Sequence, residues 1–365
     1  MLTRRFALLT AVLLGMLVLA AGPAKTGESL FSDDPFRNTA ADTNTDRLDS
    51  GRLFRRWPDE VRAQGRFRLQ YFTGEPVKDQ ADVDFDLVEY DFRVHVPIFL
   101  AEGDELLFTF NYDTISVDTK AVLPQSQDED FPDALTDLGF NFTYQREFYD
   151  GWTGGLHCRI ASAGDELFGD EATVLSATGY LRAPGIFDGG NWLFYVDYAN
   201  RRTERNMAAF NTSAELDAWP LPGAGYEMEF DRSGWLLLGL PYSAVHFEPD
   251  EWLTVDVSYK LMREAHAKFT YVVTNRLEFY GAFDWQGRIF FRDARENEDD
   301  RLVIYDKKVA AGVFYRWKEN LRFNLELGRS FDRFAYEAEE YDDRKDNWFE
   351  MEDAMFITFE FKLNF

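Results

Sequence analysis

The sequence predicts an all-β fold: a transmembrane, antiparallel, up-and-down β-barrel of about 16 strands, within a range of 12 to 16. Three observations predict it. The last residues, Met355 to Phe365, alternate apolar and polar without a break. Tight polar turns recur along the chain, with longer and often acidic connections between them. Hydrophobic content is 45% and aromatic content 17%, yet only one long apolar run exists, at the N-terminus.

In the closing segment Met355, Ile357, Phe359, Phe361, Leu363 and Phe365 form one file. Phe356, Thr358, Glu360, Lys362 and Asn364 form the other, mostly polar. Period two means a strand with two unlike faces. One face is wholly apolar and ends on Phe365, which suits a strand set against lipid.

The chain opens with Arg4-Arg5, then an apolar stretch from Phe6 to Ala21, then small residues at Ala20, Ala21, Gly22 and Ala24. That order reads as a secretory signal peptide over residues 1–24. A retained anchor helix is the competing reading, but the run is short for a span. No cysteine near the small residues marks a lipoprotein. Residues 25–62 are polar and aperiodic, with Asp33-Asp34-Pro35, Asp42, Asp46 and Asp49. They read as a periplasmic segment, either a disordered linker or a piece tucked into the barrel. The barrel is expected over residues 63–365.

From Gln64 onward, alternation dominates. Phe67, Leu69 and Tyr71 alternate with Arg66, Arg68 and Gln70. Tyr90, Phe92, Val94 and Val96 alternate with Glu89, Asp91, Arg93 and His95. Phe108 to Tyr112, Phe140 to Tyr144 and Leu321 to Leu327 repeat the pattern. A soluble sandwich would use strands of about 5–6 residues. Runs of about ten cross a bilayer at a tilt.

Seven tight turns are expected at one end: Glu102-Gly103-Asp104, Asp150-Gly151, Asp188 to Asn191, Asp231 to Gly234, Glu248 to Glu251, Thr274-Asn275-Arg276 and Lys318-Glu319-Asn320. They imply eight hairpins, with the C-terminus at the same, periplasmic end. Trp152, Trp192, Trp235, Trp252 and Trp317 lie beside these turns and are expected to form an interfacial girdle. Pro241 interrupts Trp235 to Phe247, which predicts a half-height hairpin or a kinked single strand. Phe361, Leu363 and Phe365 read as a terminal aromatic signal for the outer-membrane assembly machinery.

Cys158 is the only cysteine, so no disulfide closes within the chain. The formal net charge of -26 and the lack of a basic stripe exclude nucleic acid as a partner.

Leu236-Leu237-Leu238-Gly239-Leu240-Pro241, Val245 to Tyr259, Phe279 to Trp285 and Phe331-Asp332-Arg333-Phe334 resemble a family of bacterial outer-membrane β-barrels known only as a domain of unknown function. The likeness covers roughly residues 60–365. It implies a barrel in the bacterial outer membrane, and it brings no activity or catalytic residue with it.

If the apolar files face lipid, the alternate files face the lumen. The candidate lumen residues are Arg66, Arg68, Glu89, Asp91, Arg93, His95, Asp113, Arg159, Asp256, Glu278, Asp284, Arg316, Arg322, Glu326, Glu360 and Lys362. Charges there must be paired or hydrated. Opposed acidic and basic rows suit a water-filled pore for small polar solutes. Interlocked pairs filling a closed structural or interaction barrel are the alternative. The acidic connections, such as Asp128-Glu129-Asp130, lack the spacing of a calcium loop. No metal or other cofactor is expected. His246 and His266 fall on neighbouring strands and raise an outer-membrane hydrolase as a lesser reading. Neither a Gly-x-Ser-x-Gly elbow nor a His-Glu-x-x-His motif supports it. The expectation is therefore a porin-like channel without catalysis.

Overall fold

The computed structural model describes residues 63–364, apart from 79, 81, 102–103, 124–130, 170–171, 188, 201–219, 231–233, 261–263, 294, 296, 298 and 340–346. The expected signal peptide, the segment 25–62 and Phe365 lie outside the described residues.

The strands, in chain order, are β1 (Gln64–Phe72), β2 (Glu75–Pro76), β3 (Asp84–Ala101), β4 (Asp104–Thr119), β5 (Ala134–Tyr149) and β6 (Trp152–Gly164). Then come β7 (Thr173–Pro184), β8 (Gly190–Ala199), β9 (Leu221–Phe230), β10 (Gly234–Leu240), β11 (Tyr242–Asp250) and β12 (Leu253–Lys260). The last are β13 (Glu264–Thr274), β14 (Leu277–Phe290), β15 (Arg301–Lys318), β16 (Leu321–Ala338), β17 (Trp348–Met351) and β18 (Ala354–Asn364). β2 and β17 are short additions at one rim. The other 16 form a closed antiparallel up-and-down barrel, which agrees with the expected strand number.

Closure falls between β1 and β18. Their ladder runs from Gln64↔Asn364 to Phe72↔Phe356. Inward side chains clamp the seam: Gln64 Nε2 donates to Asn364 Oδ1 at 3.0 Å, and Gln70 Nε2 to Thr358 Oγ1 at 3.0 Å. Closure at this seam leaves neither β1 nor β18 as a free edge for another chain to extend.

The tight turns and Asn364 share one rim, the turn end. There the Asn364 N–H donates to the Asn320 carbonyl at 2.9 Å. The opposite rim is the loop end. Wall height differs around the ring. β3, β15 and β16 have 18 residues each, whereas β10 has 7 and β12 has 8. Pro241 ends β10, so this stretch is a short hairpin rather than one kinked strand.

The two faces of each strand differ as period two requires. On β18, Met355, Ile357 and Phe359 are 54%, 42% and 45% exposed, while Thr358, Glu360 and Lys362 are 1%, 5% and 4% exposed. The apolar file faces outward and the polar file inward. That inverts a soluble barrel, whose apolar residues fill the interior.

One part of the interior is nevertheless apolar. At the loop end of the tall wall, Phe72, Phe85, Leu135, Phe290, Leu302, Phe349 and Phe356 belong to one buried cluster. Phe85 packs on Phe131 and Phe349, with ring centroids 5.5 and 5.8 Å apart. A bulge helps to aim β16 at this cluster. Asp332 takes φ 51°, and the register with β15 shifts between Tyr305 and Lys307. The buried file therefore changes parity, from Asn324 and Ser330 below the bulge to Arg333, Ala335 and Glu337 above it.

The loop end is also bridged. Phe291, just past β14, makes a parallel bridge to Gly164 at the end of β6. These two strands stand opposite each other, eight steps apart either way round the ring. The Phe291 N–H donates to the Ala163 carbonyl at 2.9 Å, and the Asp293 N–H to Asp165 Oδ1 at 2.9 Å. The Phe291 ring packs with Ala161 and Val174 from the far wall. This crossbar divides the mouth.

Candidate functional site

The interior charges sit where they do because strand alternation leaves them no other place. All sixteen candidate lumen residues lie on the files turned away from the exposed apolar side chains. Neighbouring strands bring many of them into a lattice. Arg66 on β1 grips Asp91 on β3, with Nη2 2.6 Å from both carboxylate oxygens and Nε 3.0 Å from Oδ1. Arg93 lies 3.6 Å from the same carboxylate. Glu360 on β18 is 4.0 Å from Arg66 and 3.7 Å from Lys362. Charges this far out of water persist because each carboxylate meets a cation.

A second group crosses the lumen. Arg288 on β14 donates to Glu89 on β3 at 2.7 Å. Lys308 on β15 approaches Glu89 at 3.3 Å, Asp306 at 3.4 Å and Gln70 Oε1 at 3.1 Å. β14 and β3 are not neighbours in the sheet, so these side chains span the interior. Elsewhere Arg159 pairs Asp137, Arg316 lies 3.9 Å from Glu278, and the Tyr280 hydroxyl meets Glu326 at 2.8 Å. His95 Nδ1 meets Thr109 at 2.9 Å. Arg68 reaches Gln70 at 3.3 Å. Asp256 pairs His246 at 2.7 Å, and Asp284 pairs His266. Asp113 on β4 hydrogen-bonds Asp91 and so extends the first group, and Arg322 is buried on the same inward face.

Arg288 is absent from the sequence-derived set. Extending the file Glu278, Tyr280 and Asp284 by two more strand steps reaches it, so its signal was present. Arg292 and Glu337 form a buried bidentate pair at 2.7 and 2.6 Å beside the crossbar. No local pattern joins two residues so far apart in sequence.

The girdle expectation fails at one residue. Trp192, Trp252 and Trp317 are exposed at the turn end, and Trp152 is partly exposed there. Trp235 is 9% exposed and points inward, its ring 6.2 Å from that of His246. Its neighbours Leu236 and Leu238 take the outward positions, so parity turns Trp235 into the barrel. It joins an inner aromatic and apolar patch with Tyr180, Leu193, Tyr195, Leu237 and Ala244. Phe361 and Leu363 are on the outward file.

Both candidate histidines are paired with carboxylates on the inward face. Ser258, His266 and Asp284 face one another across β12, β13 and β14. Ladders on both sides of β13 engage the backbone N–H groups around them. Among the described residues no group of three or more His, Cys, Asp or Glu could hold a metal ion.

Two loop-end groups titrate unusually. A hydrogen bond to Glu350 raises the Lys78 ammonium above its ordinary value. Burial, and then the charge of Glu337, push the Asp300 carboxyl up to about 6.

No family model and no curated protein match this chain. Solved structures that match include an outer membrane channel from Pseudomonas putida F1, at 10% identity over 86% of this chain and 98% of that one, with a TM-score of 0.36. The TodX monoaromatic hydrocarbon channel deltaS2 mutant matches at 10% identity over 84% and 91%, with a TM-score of 0.37. The KdgM porin matches at 8% identity over 83% and 99%, with a TM-score of 0.27. Likeness this distant carries no weight on its own. The closed ladder decides the matter. The chain is a 16-stranded barrel. Its apolar exterior and ion-paired interior are those of a barrel that spans a membrane.

Proposed function

We propose that this chain is a porin-like channel of the bacterial outer membrane that passes small polar solutes and performs no bond chemistry. The observation that carries this reading is the inversion of polarity. Large apolar side chains such as Phe359, Leu325 and Phe279 are exposed outside, while Glu360, Lys362 and Arg322 are buried inside. The lumen is narrow, because Glu89 and Arg288 meet across it. Acidic residues at the loop end, among them Asp165, Asp293 and Asp299, favour cations over anions at the mouth. The outward Phe361 and Leu363, followed by Phe365, serve assembly.

The crossbar and the apolar cluster at the loop end favour a second reading, a barrel closed at rest. Single-channel recording of the refolded protein in planar bilayers separates the two. Small, cation-selective steps are expected. Folded protein that inserts and never conducts would overturn the channel and leave the closed barrel.

A further inference from the structure

The lowest part of the wall is the hairpin of β10 and β11. The 7 residues of β10 rise roughly 18 Å at the tilt of about 40° usual in such barrels. The apolar band of an outer-membrane barrel is about 25 Å tall. The turn at the top of this hairpin, Leu240-Pro241-Tyr242, therefore sits within the hydrocarbon. Its composition agrees. It carries no charge, whereas the connections after β6 and β14 carry Asp165, Glu166, Asp293 and Asp299. Leu238 and Leu240 are 55% and 66% exposed on its outer side.

A turn in hydrocarbon must satisfy its backbone groups from within the protein. Here side chains do so. The Tyr195 hydroxyl donates to the Leu240 carbonyl at 2.9 Å. Ser243 Oγ donates to the Gly239 carbonyl at 3.1 Å and accepts from the Gly239 N–H at 3.3 Å. Water is not required at either place.

Behind this turn lies an apolar patch, with the Lys260 ammonium 4.9 Å from the Tyr242 ring at its edge, unlike the densely ion-paired interior near β1, β3 and β18. Tyr195, Leu237 and Ala244 belong to the inner patch, and Tyr242 packs against it. The Tyr195 ring lies flat over Gly223, where an added Cβ would come within 2.0 Å of the ring. The lipid-facing surface and the inner patch are thus separated by a single turn. Above it, Leu221, Pro222 and Gly223 of β9 extend past the last pairing with β10, Leu240↔Ala224. Among the described residues no ladder joins β9 to β12 over the turn. On the tall side, by contrast, the crossbar and the apolar cluster fill the mouth.

We infer that the low wall at Leu240 is a lateral portal. The acyl chain of a lipid or lipid-like amphiphile passes over the turn, between the outer leaflet and the inner patch of Tyr195, Leu237 and Ala244. This rests on the membrane reading above and adds a route that polar solutes do not use.

The test uses the full barrel in vesicles containing a phospholipid with a diazirine near the end of one acyl chain. After illumination, adducts are mapped by peptide mass spectrometry. Adducts are expected on outward residues such as Leu325 and Phe359, and also on inward Tyr195, Leu237 or Ala244. Ala244→Phe fills the patch and should lose the inward adducts while keeping the outward ones. Heat-modifiable gel mobility would confirm that the variant is folded. Adducts confined to outward residues overturn the portal and leave the membrane reading intact. Absence of adducts on Leu325 and Phe359 as well overturns both.

Discussion

Glu89 and Arg288 meet at 2.7 Å from strands that are not neighbours in the sheet. Their side chains are 14% and 24% exposed, so the pair is largely withdrawn from water. Removing Arg288 leaves Glu89 paired with Lys308 at 3.3 Å, and removing Glu89 takes this carboxylate from both cations. Arg288→Met is expected to lower stability in lipid by about 3 kcal/mol, the lower end for a broken buried pair. Glu89→Gln with Arg288→Met should recover part of that loss. Denaturant midpoints of both single variants and the double variant form the cycle. Additive losses would show that the two residues do not interact.

The crossbar depends on a close approach that only glycine allows. A Cβ on Gly164 would lie 2.3 Å from the Phe291 carbonyl oxygen, a backbone atom that cannot swing aside. Gly164→Ala is expected to part the bridge while leaving every charge in place. Larger or more frequent conductance steps should follow, together with faster hydrogen exchange at the Phe291 amide. Unchanged exchange would show that the crossbar tolerates the methyl group.

Acidity should tighten the same region. The folded Asp300 carboxyl titrates at about 6, above its ordinary 3.8, because burial and the charge of Glu337 oppose its ionisation. Between these two values the folded state holds more protons than the unfolded one, so stability falls as pH rises through the window. Above about pH 6 the penalty is complete, and below about pH 4 it is absent. Amides of Phe291 and Asp293 should exchange more slowly at pH 5 than at pH 7, after correction for intrinsic rates. Asp300→Asn should remove that Asp300-dependent difference.

The outward file carries its own prediction. Phe359 is 45% exposed on β18 and packs on Phe323, with ring centroids 6.3 Å apart. Phe359→Arg should cost about 2–4 kcal/mol in a bilayer, the range for a cation near the midplane of a lipid-facing strand. Arg329→Ala, whose side chain is 60% exposed, should cost under about 1 kcal/mol. Refolding midpoints in lipid vesicles measure both. Equal losses would mean that the Phe359 face does not meet lipid.

Much of this architecture was legible in the sequence because β structure in a membrane writes its two faces at alternate positions. Phe359 and Glu360 differ in polarity for that reason, and the tight turns divide the chain into hairpins. Legibility ended where the simple rule of polar inside and apolar outside stopped holding. Phe85, Leu302 and Phe349 are apolar and inward. Trp235 is beside a turn, but its place is set by parity. The crossbar joins Phe291 to Ala163 across the barrel, and each segment alone reads as an ordinary strand end. Asp332 reverses the parity of β16 through one residue of backbone, and nothing around it in the sequence announces that reversal.

The seam between β1 and β18 has a consequence for the order of events during folding. Gln64 and Asn364 are separated by 300 positions, yet they share a hydrogen bond. Every hairpin can form from residues already at hand, but this ladder cannot begin before the last strand arrives. Until then the sheet has two open margins, one on β1 and one on β16. Completion therefore waits on the last strand, which converts an open sheet into a self-sufficient ring.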